Sequence, residues 1–306
     1  MNSLTKVMIS PHIHSGNSTS GIMRDVLIAL LPATVAGIVI FGRLAILPIV
    51  VCMASCILFE ALFNIITKKK QTIGDLSAAV TGLLLALNLP ANVPVWQCVV
   101  GSLFAIVVVK CLFGGIGNNL VNPAITARVF MIVAFESMAV SASPVDSVAS
   151  ATPLAAEKMP TLTTLFFGNY GGAIGETCTL ALLIGFAYLL IRRVITWHIP
   201  TVFIGTVFVF SLFMEGFDAI AALSMVMAGS VFIGAIFMAT DYVTSPSTSW
   251  GKVIFAVGAG LLTCLIRYFG TYPEGVSFAI LFMNILTPYI DRWTRHRVFA
   301  KGGVKA

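Results

Sequence analysis

Long apolar runs separated by short polar connections fill most of the chain. Within each run the apolar residues are continuous and do not alternate with polar ones, which predicts helices and not strands. Ten runs are readable, at 26–42, 44–66, 76–89, 95–113, 122–136, 177–191, 199–214, 218–239, 252–269 and 275–291. A bilayer core about 30 Å thick takes roughly 17–25 residues per helix, so the third and fifth runs are short for a full crossing. One long polar stretch, 137–176, divides the runs into five and five. An odd number per half turns the second half upside down relative to the first, as in many transporters. The expected fold is an all-α polytopic membrane protein with about ten transmembrane helices as a five-plus-five inverted repeat. A shift of 152 residues superposes Pro48 on Pro200, Gly82 on Gly234 and Pro94 on Pro246. The expected segments are a cytoplasmic N-terminal stretch (1–25), a first half (26–136), an exterior loop (137–176), a second half (177–291) and a basic cytoplasmic tail (292–306).

Composition agrees with the pattern. The 306 residues are 58% hydrophobic and 10% charged, and the mean hydropathy is +1.00. Globular chains carry about 25% charged residues, so no soluble domain is expected. A net charge of +6 in a soluble protein would suggest nucleic acid; in a membrane protein its distribution matters more, and no nucleic-acid partner is expected. Alternating the loops between two sides places Lys6, Arg24, Lys68, Lys69, Lys70, Lys110, Arg192, Arg193, Lys252, Arg292, Arg295, Arg297, Lys301 and Lys305 on one side. Only Arg43, Lys158 and Arg267 fall on the other. That bias puts both termini in the cytoplasm and the 137–176 loop outside. Trp96, Trp197, Trp250 and Trp293 all lie at expected span ends, where an indole keeps its N–H wet. The first 21 residues lack a basic–apolar–small pattern, so no cleaved signal peptide is expected.

Helix breakers and polar groups gather in two places, "FGGIGNNLVNPAITAR" and "ATDYVTSPSTSWGK". Both fall on the cytoplasmic side by the loop count. Irregular backbone survives at membrane depth only where protein or a cavity satisfies it. Asn118, Asn119, Asn122, Asp241 and Thr244 are therefore candidates to hold a polar ring or an ion, and ordinary interhelical turns are the alternative. Charges inside spans need a reason. Glu60 lies in the second run, Asp75 opens the third, and Arg128 lies in the fifth. An Asp75–Arg128 pair that neutralises two misfits and a cation or proton path both fit. The six cysteines form no CxxC and the four histidines no HExxH, so no metal site is expected. There is no P-loop, and the glycines of "GGIGNN" do not follow a soluble strand.

Five stretches together resemble a known family: "SPHIHSGNSTSGIMRDVLIALLPA", "GDLSAAVTGLLLALNLP", "GGIGNNLVNPAITARVFM", "MATDYVTSPSTSWGK" and "YPEGVSFAILFMNILTPYIDRW". They are similar, nearly end to end, to RnfD, the D component of the Rnf complex, the ion-translocating ferredoxin:NAD⁺ oxidoreductase. The more distant likeness is to the B component of the sodium-pumping NADH:quinone oxidoreductase. The resemblance implies an enzyme component, part of a translocase in a prokaryotic inner membrane, with no NAD or ferredoxin site of its own. Implied partners are the A, B, C, E and G components of that complex, a flavin transferase and the lipid bilayer. It also implies an FMN held covalently through its phosphate on a threonine, in a pattern like Asp-x-x-(Ser/Thr)-Gly-Ala-Thr. Here Asp146, Ala151 and Thr152 match in spacing, while Ala149 stands for the hydroxyl residue and Ser150 for the glycine. The sodium-pumping relative implies a second, non-covalent flavin such as riboflavin near Asn118, Asn122 and Pro123.

The expected function is flavin-borne electron transfer coupled to Na⁺ or H⁺ translocation. The competing class is a stand-alone solute channel or transporter, since five-plus-five inverted halves also serve that purpose. The Asp146–Thr152 segment separates the two, because a permease has no use for it. A purely structural scaffold would carry neither flavin nor transport.

Overall fold

The computed structural model describes residues 18–135, 154, 159–270 and 274–295. Among them lie α1 (Thr19–Phe41), α2 (Arg43–Ile66), α3 (Ser77–Leu87), α4 (Val95–Cys111), α5 (Pro123–Ala134) and α6 (Leu162–Phe167). They continue as α7 (Thr179–Ile191), α8 (His198–Met214), α9 (Ala219–Met227), α10 (Val231–Met238), α11 (Ser249–Phe269) and α12 (Val276–Thr294). The described residues form no strand, only an isolated bridge between Pro90 and Ala173.

Two departures from the sequence pattern have clear physical causes. Helix α1 begins at Thr19, ahead of the apolar run, because the Ser18 hydroxyl accepts from the Gly21 N–H at 3.1 Å and caps it. The run at 218–239 is not one helix. It breaks after Met227 and bends by 65° between α9 and α10, with Gly229 at φ 70° in the gap. Among the described residues, α1, α2 and α11 are each long and apolar enough to cross a membrane, and the bent α9–α10 pair makes a fourth. Helices α3, α4, α5, α7 and α8 are apolar but shorter. The third and fifth runs are short helices, as their length in the sequence suggests, and α4, α7 and α8 are short as well. Helix α3 has 11 residues, all buried, and at 1.5 Å per residue it spans about 16 Å, half a bilayer core.

The 152-residue shift seen at three positions holds for whole helices. It carries 19–41 across α7, 43–66 across α8, 77–87 onto α10, 95–111 onto α11 and 123–134 onto α12. Packing recurs with it: α2 lies against α3 and α4, and α8 against α10 and α11. The halves meet where α1 packs on α7 and α5 on α12.

Lipid tails are as apolar as leucine, so close packing has to do the work that hydrophobic exclusion does in water. Glycines provide it at both kinds of contact. A Cβ on Gly82 of α3 would lie 2.7 Å from the Cys52 carbonyl oxygen and 2.8 Å from the Met53 Cα of α2. One on Gly185 of α7 would strike the Ala29 carbonyl of α1.

Gly82→Val should therefore cost about 1–3 kcal/mol by overpacking and lower the melting temperature of the detergent-solubilised protein. Gly205 of α8 has nothing within 4 Å of its would-be Cβ, and Gly205→Ala should leave the melting temperature unchanged or slightly higher. Equal melting curves for Gly82→Val and the wild type would contradict backbone-close packing of α3 on α2.

Candidate functional site

Helix α5 starts where the first break ends. Pro123 occupies its first position, where a missing N–H costs nothing, and Asn122 is the N-cap. The Asn122 Oδ1 accepts from the N–H groups of Ala124 (3.0 Å) and Ile125 (3.3 Å). Its Nδ2 reaches into the other half and donates to the Met238 carbonyl at 3.3 Å, the last residue of α10. Asn284 of α12 completes the joint. With its amide oriented to satisfy both neighbours, it donates to the Thr244 carbonyl and accepts from the Asn122 N–H, each at 3.2 Å. The Thr287 hydroxyl donates to the same Thr244 carbonyl at 2.9 Å.

Above this joint lies a cavity of about 430 Å³. Its walls are largely apolar, with Met23 and Val26 from α1, Val80 and Leu84 from α3, and Phe237 from α10. A few polar groups converge on it: Ser77, Thr81, Lys110, Asn119, Asn122 and Asp241. Small-molecule sites have volumes in this range and linings of this kind, apolar with a few placed polar groups. The Asp241 carboxylate accepts from the Thr244 hydroxyl at 3.2 Å. Burial pushes its carboxyl above the usual range, while the Val243 N–H and Thr244 hydroxyl pull the other way.

Lys110 reaches the cavity because α4 ends in a π-helical stretch, Phe104–Cys111; such bulges inside helices are frequent at functional sites. Lys110 is 2% exposed. Its ammonium donates to Glu60 Oε1 at 2.9 Å and to Ser77 Oγ at 2.6 Å. Glu60 Oε1 also accepts from the Thr72 hydroxyl at 2.6 Å.

A second polar cluster closes the other end of α3. Arg128 donates to the Asn88 carbonyl, to Asn88 Oδ1 at 2.9 Å, and to Glu274. In the stretch before α7, the N–H groups of Ile174 and Gly175 donate to the carbonyls of Leu89 (3.1 Å) and Leu87 (2.7 Å). Glu176 follows, 2% exposed, with Oε1 accepting from the Ala173 N–H at 2.8 Å and Oε2 without a partner among the described residues. Burial, and then the Glu274 carboxylate, push Glu176 up to about 8, against the pull of Arg128. Nearby, Arg267 donates to the carbonyls of Met225 (2.7 Å) and Ala228 (3.0 Å) at the end of α9. A Cβ on Gly229 would lie 2.9 Å from both the Arg267 Nη2 and the Leu154 Cδ1. Leu154 stands two residues after Thr152.

The residues that the sequence pattern singles out divide accordingly. Asn122, Pro123 and Asp241 border one cavity. Thr244 holds Asp241 but does not line it. Asn118 is exposed and only donates to the Gly114 carbonyl at 3.5 Å, as a turn residue does. The Asp75–Arg128 pair, one of the two readings that the sequence allows, does not form. Asp75 precedes α3 and accepts from the Ser77 N–H and hydroxyl at 2.8 and 2.5 Å, whereas Arg128 binds beyond its far end, so the length of α3 separates them. Asp146, Ser150, Ala151 and Thr152 lie outside the described residues. The pattern gives Glu60 no partner, counts Lys110 among the loop cations and passes over Glu176. A lysine directly after "FAIVVV" is the available signal for Lys110, but its position before "FGG" makes it read as a helix end.

Described residues that are helical and apolar, with a short buried helix in each half and a cavity between the halves, define a polytopic membrane protein. The chain belongs to the NQR2, RnfD, RnfE family, whose profile matches residues 6–300. It is 44% identical over 310 residues to the D component of the Na(+)-translocating ferredoxin:NAD(+) oxidoreductase complex of Acetobacterium woodii, covering 98% of this chain and 96% of that protein. It is 41% identical over 308 residues to the D component of the proton-translocating ferredoxin:NAD(+) oxidoreductase complex of Clostridium ljungdahlii, with 94% and 93% covered. It is 32% identical over 345 residues to the D component of the ion-translocating oxidoreductase complex of Halorhodospira halophila, with 97% and 96% covered.

The raised Glu176 has a measurable consequence. Between the ordinary glutamate value of 4.5 and about 8 the folded chain keeps a proton that the unfolded chain releases. Stability from this group is thus fully present below the unfolded value and is lost as pH rises toward the folded one. The melting temperature of the wild type should fall across that window, and Glu176→Gln, which mimics the protonated acid, should flatten the fall. Parallel curves for the two proteins would contradict the buried, protonated state.

Proposed function

We propose that this chain is the flavin-carrying electron-transfer component of a membrane complex that couples ferredoxin oxidation and NAD⁺ reduction to Na⁺ or H⁺ translocation. The observation that carries the reading is its nearly end-to-end similarity to the D components of two such complexes. The remaining components, A, B, C, E and G, supply the ferredoxin and NAD sites. The complex sits in the inner membrane of a prokaryote with both termini of this chain cytoplasmic and the 137–176 loop outside. Lys110 leaves the loop count because it is buried, and thirteen cations still stand against three.

Thr152 carries FMN as a phosphoester made by a separate flavin transferase, since a threonine hydroxyl is a poor nucleophile unaided. The tether holds the ring at high effective concentration beside its electron partner. The cavity at the joint takes a second, non-covalent flavin, with riboflavin as the candidate. Its volume suits a small planar molecule, and Asn119, Asn122, Thr81 and Lys110 offer the hydrogen bonds that such a ring needs. A flavin supplies one- and two-electron chemistry that no side chain here has; the protein contributes position, dryness and charge. Asp241, buried beside Thr244, is the residue we assign to the ion or proton path. One of the two relatives is named for Na⁺ and the other for protons, and these are the two ions proposed.

Thr152→Ala should abolish flavin fluorescence of the chain in a denaturing gel while the protein still inserts and the non-covalent flavin is retained. Fluorescence that survives the substitution would refute the attachment site.

A further inference from the structure

The sequence pattern counts Lys110 with the cytoplasmic cations, near the end of the 95–113 run; the structure buries it. An ammonium has three N–H donors. Two are used, on Glu60 Oε1 and Ser77 Oγ, and no partner for the third is found among the described residues. Lys110 and Ser77 line the cavity, whereas Glu60 does not. The buried Glu60–Lys110 pair is therefore a dipole with its positive end on the cavity side. Removing two charges from water costs several kcal/mol per ion, and such a pair is weak ground for stability, so its retention calls for another use. Asp241 also lines the cavity.

We propose that Lys110 is a ligand-binding residue of this cavity: its third N–H donates to an acceptor atom of the bound ring and favours the form of that ring with more negative charge. Glu60 is the positioning residue. It holds the ammonium against the cavity wall and moderates its charge, and the Thr72 hydroxyl, itself accepting from Asn64 at 3.0 Å, holds Glu60. The ligand class is a planar heteroaromatic with carbonyl or imine acceptors at its edge. This inference rests on the non-covalent flavin proposed above and adds the residue that tunes it.

The test is a dithionite titration of the non-covalent flavin in the purified complex, followed by absorbance in the Thr152→Ala background so that the covalent flavin does not contribute. Flavin content is measured separately by chromatography after acid extraction. Glu60→Gln removes the negative charge behind the ammonium and should move the midpoint to higher potential. Adding Lys110→Met to Glu60→Gln leaves a neutral pair of similar size and should move it below the wild type. A role in packing alone would not produce shifts of opposite sign. If the double variant does not assemble, Glu60→Gln alone still decides, through the upward shift. Flavin present but with unmoved potentials, or shifts of the same sign, would overturn the role of Lys110 alone. Absence of any non-covalent flavin from the complex with native Glu60 and Lys110 would overturn the inner-flavin reading and this inference with it.

Discussion

Hydrocarbon offers no water to a peptide group, so every helix end at membrane depth has to find its hydrogen bonds inside the protein. Several of the long-range polar contacts here follow from that requirement. Helix α3 ends half-way, and the carbonyls at and just beyond its end are taken by Arg128 and by the N–H groups of Ile174 and Gly175. Helix α9 ends at a bend, and Arg267 takes the carbonyls of Met225 and Ala228. Helix α10 ends at Met238, whose carbonyl is taken by Asn122. Each donor comes from a different part of the chain. The broken helices are thus the places where distant segments are forced to meet.

The same requirement makes the cavity. A helix that stops short leaves space beyond its end, and the groups that satisfy its backbone line that space. Asn122 caps α5 with its oxygen and ties α10 with its nitrogen, so the start of α5 in one half is fixed to the end of α10 in the other. Ser77, at the first turn of α3, meets Lys110 from the π-helical end of α4. An apolar volume bordered by donors and an acidic group results, and backbone accounting explains Asn122 there. Lys110 is the exception, since its partners are the side chains of Glu60 and Ser77 and not a helix end.

Much of this is legible in the sequence. Continuous apolar runs and the Lys/Arg bias identify a helical membrane protein, and nine of the ten runs contain or match a single helix to within several residues. The 152-residue shift, weak as three coincidences, is the register of five helix pairs. Asn122, Pro123 and Asp241 are visible because helix breakers beside polar residues are rare in apolar chains. What stays hidden depends on geometry that hydropathy does not encode. The bend at Gly229 sits in a run as apolar as its neighbours. Lys110 stands in the last turn of α4, where a cation reads as exposed, but the π-helical stretch there sets it between Glu60 and Ser77. Arg128 pairs with Glu274, 146 positions away, and not with Asp75, because its reach is to the far end of α3.

If the two breaks build one ligand-holding cavity at the joint between the halves, a cryo-electron microscopy map of the native complex that separates side chains will show planar density bordered by Asn122, Lys110 and Asp241, with the Asn122 amide still on the Met238 carbonyl. Side chains closing that volume, or lipid tails filling it with Asn122 turned away from Met238, would contradict it.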